Sequence, residues 1–170
     1  MWTKISVCPD LECDERLWHA GLSPDGKMCF VAGFEDHVYI IWDVDESKCI
    51  WKQDSFDSVD LDFPPIEEWI DSNGYVSIGQ GPGTGRYRIV GLNYNYPITS
   101  HEPTDISLRV DEKNDRVILS QTSTKTILAS LEYETFSGDW AFATFSDDGS
   151  TIAVIEPYFI TFFRNEANRG

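Results

Sequence analysis

Apolar and polar positions alternate along most of the chain in short runs, the period of strands half-buried in a sheet. Trp18, Ala20 and Leu22 alternate with His19 and Gly21, and Ser23-Pro24-Asp25-Gly26 follows. Proline presets φ, aspartate caps the turn and glycine accepts a positive φ, so this tetrapeptide predicts a tight turn. Further strands are predicted over 27–34, 37–44 and 48–53, with a turn at Glu35-Asp36. The same order returns later. Trp140 to Phe145 predicts a strand, Ser146-Asp147-Asp148-Gly149 repeats the turn with Asp for Pro, and strands follow over 151–156 and 158–164.

Two less regular segments lie between. Val59, Leu61 and Phe63 alternate with Asp60 and Asp62, and strands are predicted over 75–78 and 85–92, with a short edge strand at 97–100. The third segment predicts strands over 106–110, 117–121 and 125–131, and no fourth strand is evident in it. The turns near 24, 65, 112 and 147 are spaced close to the roughly 40–45 residues of a four-stranded blade. The expected fold is all-β: one domain over 1–170, a small four-bladed β-propeller, closed or incomplete and open, of four-stranded antiparallel blades at about 17–54, 58–100, 104–132 and 140–165. The last segment has only three strands, and Trp2 to Val7 is a spare one. Residues 2–7 are therefore expected to complete the last blade, which removes an exposed edge.

Leu22-Ser23-Pro24-Asp25-Gly26-Lys27 followed by Val38-Tyr39-Ile40-Ile41-Trp42-Asp43 resembles a WD-repeat blade. The resemblance rests on the Trp42-Asp43 pair and the acidic turn residue Asp36. No Gly-His pair precedes the first strand, so it does not extend to that family's inter-strand hydrogen-bond tetrad. It implies a stiff scaffold whose loops and edges make contacts.

Charge narrows the range of partners. Thirteen Lys and Arg against twenty-nine Asp and Glu give a formal net charge of −16. Such a surface repels phosphate backbones and anionic membranes, so neither nucleic acid nor membrane is expected as a partner. A basic protein would be steered in. The cysteines are Cys8, Cys13, Cys29 and Cys49; Met1-Trp2-Thr3-Lys4-Ile5 lacks the basic start and apolar run of a secretory signal, so reduced thiols and a cytoplasmic location are expected. Cys8-x4-Cys13 has no second pair at zinc spacing.

Candidate chemistry is sparse. His19, His37 and His101 stand in no triad or metal spacing. Gly79-Gln80-Gly81-Pro82-Gly83-Thr84-Gly85 lacks the Gly-Lys-Ser/Thr end of a phosphate loop and reads as a hairpin connection. Asp10-x-Glu12-x-Asp14 lacks the glycine a calcium loop needs. Neither a catalytic set, a metal nor a cofactor is expected.

The segment 63–74 departs from the repeat. Pro65 suits the first turn of a short helix and Asn73-Gly74 its end, with Ile66, Trp69 and Ile70 on one face. That face either docks on the blades or protrudes as a partner-binding element. In the second case Trp69 is the anchor, Glu67, Glu68 and Asp71 are the rim, and Asp57, Asp60 and Asp62 extend the negative patch. The function expected is a non-catalytic protein-binding module with an acidic surface, of the kind an immunity or antitoxin protein uses to mask a basic toxin. The alternatives are a structural or adaptor subunit, and a small-ligand binder or enzyme using a central channel.

Overall fold

A computed structural model describes residues 1–8, 17–33, 39–53, 69–79, 81–136 and 138–168. Fourteen strands occur among them: β1 (Trp2–Cys8), β2 (Leu17–Leu22), β3 (Met28–Gly33), β4 (Tyr39–Asp43), β5 (Lys48–Gln53), β6 (Tyr75–Ile78), β7 (Gly85–Gly91), β8 (Ser100–His101), β9 (Ile106–Asp111), β10 (Arg116–Gln121), β11 (Ile127–Glu132), β12 (Phe142–Phe145), β13 (Thr151–Ile155) and β14 (Ile160–Asn165). They form three antiparallel sheets, ordered β5-β4-β3-β2-β7-β6, β11-β10-β9-β8 and β1-β14-β13-β12. The fold is all-β and β-propeller-like, each sheet built round an up-and-down meander.

Side-chain alternation explains how the sheets stack. Ala153 and Ile155 of β13 enter a core shared with the first sheet, beside Cys29, Val31, Ile40 and Trp42. Ile152 and Val154 point the other way, into a core shared with the second sheet, beside Leu108, Val117 and Leu119. Every residue of β13 is buried, as a strand covered on both faces requires. Strands β3 and β4 behave likewise: Cys29, Val31, Ile40 and Trp42 face the last sheet, whereas Phe30, Ala32, Tyr39 and Ile41 face a third core. The last sheet thus lies between the other two.

The second segment differs from expectation. Its described strands β6 and β7 do not stand as a separate blade; β7 pairs with β2, His19 opposite Gly91 and Leu22 opposite Arg88. A lone two-stranded hairpin buries too little to be stable. Added to β2, it curls over the first sheet, and Val76, Ile78, Tyr87 and Ile89 cover Phe30 and Ile41. Gly21 permits this, because a Cβ there would strike the Arg88 carbonyl. The short edge strand expected at 97–100 is β8, two residues long, and it pairs with β9 of the third segment and with no described strand of the second.

The N-terminal strand β1 pairs with the C-terminal strand β14, from Trp2 opposite Asn165 to Cys8 opposite Ile160. The Trp42 indole N–H donates to Ser6 Oγ at 3.0 Å, which ties β1 to the first sheet.

Candidate protein-binding surface

Of the residues proposed from sequence as a partner patch, Asp57, Asp60, Asp62, Glu67 and Glu68 lie outside the described residues. Trp69 and Asp71 are described. The Trp69 ring sits edge-on to Phe30 and Tyr39, at 5.6 and 5.9 Å, and its N–H donates to the Ser77 carbonyl at 2.9 Å. The half-buried indole is docked on the first sheet beside Ile70; Ile66, the third residue of that apolar face, lies outside the described residues. Asp71 is an exposed turn cap. Its carboxylate accepts from the Asn73 and Tyr75 amides at 2.8 and 2.9 Å. The Tyr75 amide is the main cause of its lowered pKa. Asp36 and His37, Asp10, Glu12, Cys13 and Asp14 also lie outside the described residues.

The two repeated turns have the same internal wiring. Ser23 Oγ donates to Asp25 at 2.8 Å and accepts from the Met28 amide at 3.0 Å. Ser146 Oγ donates to Asp148 at 2.7 Å and accepts from the Thr151 amide at 3.1 Å. Each closes on a glycine of positive φ, Gly26 and Gly149. The turns also meet. The Asp148 amide donates to the Pro24 carbonyl at 3.1 Å, and Ser150 Oγ to the Asp25 carbonyl at 3.3 Å. Arg164 reaches across from β14 to the Gly26 carbonyl at 2.9 Å and pairs with Asp45. Asp25, Lys27, Asp148, Ser150 and Arg164 line an open cleft of about 330 Å³ between these turns.

The second segment reaches the same end. Tyr75 donates its hydroxyl to Asp147 at 2.6 Å, Arg86 and Arg88 stand 4.0 and 3.9 Å from that carboxylate, and the Arg86 guanidinium lies 3.9 Å over the Tyr75 ring. His101 packs against Gly149 and Phe145. The first turn, strand residues of the second segment and His101 of β8 therefore meet round Asp147–Gly149. Burial raises Asp148, but hydrogen bonds from Ser146 and Ser150 and the Arg164 charge outweigh it, and its pKa is lowered.

The opposite end is different. Glu156, only 1% exposed, follows β13 and reaches under the connection from β11 to β12. Its carboxylate accepts from the Tyr158 amide at 2.6 Å, Thr135 Oγ1 at 3.2 Å and the Phe136 amide at 3.4 Å. Burial raises its pKa against the opposing effect of those donors. Above it, Phe136 is 78% exposed, its ring 5.1 Å from the Tyr158 ring and nearly perpendicular to it. Sequence reading missed this aromatic pair. One signal was present: Lys125 and Arg164 bracket a stretch with no Lys, Arg or His, which carries Glu132, Glu134, Asp139, Asp147, Asp148 and Glu156.

Catalytic geometry is thin. Cys8 and Cys29 are buried thiols, the first pushed well above the ordinary range and the second to about 12, mainly by desolvation. Such thiols stay protonated and are poor nucleophiles. His19 is buried against Tyr94 and takes the Asn93 and Tyr94 amides at 3.4 and 3.3 Å. Among the described residues no group of three or more His, Cys, Asp or Glu is placed to hold a metal ion, and no helix is long and apolar enough to cross a membrane.

Comparison with known proteins adds little to this geometry. No family model and no curated protein matches the chain. Solved structures similar to it include one described as "Structure of U3-55K", at 11% identity and a TM-score of 0.25, covering 91% of this chain and 41% of that one. Another is "Crystal structure of RRP9 WD40 repeats", at 11% identity and a TM-score of 0.27, covering 95% of this chain and 43% of that one. The chain thus spans less than half the length of either structure.

Proposed function

We propose that this chain is a non-catalytic protein-binding module that presents an acidic surface to a basic protein. The observation that carries the reading is how its charges are used. Arg164, Arg88 and Arg86 lie against the carboxylates and carbonyls of one end, whereas the chain as a whole keeps a formal charge of −16. That excess is a long-range field on a stiff sheet scaffold, which speeds encounter with a cationic partner. An immunity or antitoxin-type inhibitor that masks a basic toxin is the most specific form of this reading, with a cytoplasmic location and with Asp57, Asp60, Asp62, Glu67 and Glu68 adding to the field. The test is binding of the full chain to a panel of basic and acidic proteins by calorimetry. Basic partners are expected to bind at low salt and to lose about tenfold in affinity by moderate salt, as screened charges do. Equal binding to acidic proteins, or affinity indifferent to salt, sinks the reading.

An adaptor role draws on a separate observation. Strand β11 is the outer strand of its sheet, and Ile127 and Leu128 on it are 65% and 52% exposed. Sedimentation that shows a monomer across the accessible concentration range argues against assembly through this edge.

A further inference from the structure

We propose that Phe136 and Tyr158 form the contact point for the basic partner, and that the segment seated there presents an Arg or Lys side chain to the Phe136 ring. The inference rests on the acidic-module reading and adds to it a place and a chemistry.

Three observations converge on that place. The first is exposure: Phe136 leaves 78% of its surface in water while the neighbouring Tyr133 is only 5% exposed. The second is pre-organisation. An exposed aromatic on a loose loop loses entropy when it is captured, but here the backbone is held at Phe136 and on its N-terminal side. The Phe136 amide and Thr135 hydroxyl bond the buried Glu156 carboxylate, and the Glu134 amide donates to Thr161 Oγ1 at 2.9 Å. Glu156 also takes the Tyr158 amide, so one carboxylate positions both rings of the pair. A ring held in its bound position keeps more of its contact energy as affinity. The third is charge. The Tyr133 amide, three residues before Phe136, donates to the Asp115 carbonyl at 3.2 Å, which sets the acidic turn of Asp111, Glu112 and Asp115 beside the start of this connection. Glu134 and Asp139 stand exposed on either side of the ring in sequence. Among the described residues the cations of this region are Lys4, which pairs with Glu134 at 2.8 Å, Arg116, which is 3.9 Å from Glu132, and Lys113 in the turn after β9. The local balance is anionic.

An aromatic face among carboxylates favours one kind of guest. A cation over the ring gains from its quadrupole, and the surrounding acids add attraction without needing a buried pair. An acidic or purely apolar segment gains only one of these, or neither. Arginine suits the place best, since a planar guanidinium stacks on the ring and still reaches a carboxylate. The exposed Ile127 and Leu128 have no such setting.

The test uses the full chain and a synthetic decapeptide of alternating Arg and Leu, with a Glu-Leu decapeptide as control, and reads amide shifts by NMR. The Arg-Leu peptide is expected to shift the amides of Glu134, Phe136, Asp139 and Tyr158. Phe136→Ala is expected to weaken it about fivefold or more, at an unchanged melting temperature. Phe136→Leu keeps an apolar side chain without the ring and is expected to lose nearly as much. Binding that is salt-sensitive but centred elsewhere, or indifferent to Phe136→Ala, overturns the contact point and leaves the acidic-module reading standing. Absence of binding by the Arg-Leu peptide, or equal binding by the Glu-Leu peptide, overturns both. Self-association lost on Phe136→Ala, without peptide binding, makes a second copy the occupant and overturns the cationic one.

Discussion

The two ends of the sheet stack use the same residue types for opposite purposes. At one end Asp45, Asp147, Arg86, Arg88 and Arg164 pair across three segments, so that charge joins them, while Asp25 and Asp148 brace their own turns. At the other end a single buried carboxylate, Glu156, fastens a connection from beneath and leaves an aromatic ring in water. Rigidity and contact are therefore to be sought in different places. Paired charges between turns report assembly of the fold, while a tethered but uncovered side chain reports a surface kept for something else.

The comparison breaks most severely if the stack does not depend on its seam. Removal of residues 1–8 strips β1 from β14 and takes Cys8 and the Ser6–Trp42 bond from the core. On the order of 5 kcal/mol, most of the stability of such a domain, is expected to go, and an unchanged urea midpoint would show that β1 is an ornament. Arg164→Ala is the next test. It removes a mostly buried guanidinium from Gly26, Thr151 and Asp45 and is expected to cost about 2–3 kcal/mol in chemical denaturation. Ser23→Ala and Ser146→Ala each unmake one turn network, at about 1 kcal/mol. Because the Asp148 amide bonds Pro24, the pair is expected to be non-additive, and strict additivity would mean that the turns act separately.

Acid titration sharpens the contrast by sign. Asp148 has a lowered folded pKa, so its contribution is present above the unfolded carboxylate value and is lost as pH falls through the folded one. Glu156 has a raised folded pKa, so its contribution is complete below the unfolded value and fades as pH rises through the folded one. Stability curves of Asp148→Asn are expected to flatten on the acid side, below about pH 4, and those of Glu156→Gln above about pH 4.5. Parallel curves for the two variants would erase the distinction. The smallest effect belongs to Phe136→Ala, expected to change stability by less than about 0.5 kcal/mol; a loss near that of Arg164→Ala would make Phe136 a structural residue.

Much of the frame was legible in the chain. Ser23-Pro24-Asp25-Gly26 and Ser146-Asp147-Asp148-Gly149 announced two turns that prove to be wired alike, because a turn is decided by residues within reach of one another. The run after the second of these turns was read as a strand over 151–156, although its burial on both faces was not part of that reading. The candidate site was less legible. Trp69 was open to two readings, and its place against Phe30 and Tyr39 depends on strands thirty or more residues away. Phe136 carries no motif, and its exposure follows from where Glu156 holds the chain.

The sequence by itself determined the strand class, the turn chemistry and the acidic field, since each follows from neighbouring residues or from a simple sum. It took the folded chain to show that β6 and β7 join β2, and that one aromatic stays uncovered. Both depend on long-range fit: β7 can approach β2 because Gly21 has no Cβ to meet the Arg88 carbonyl, and no local pattern records what will stand opposite a residue some seventy positions on.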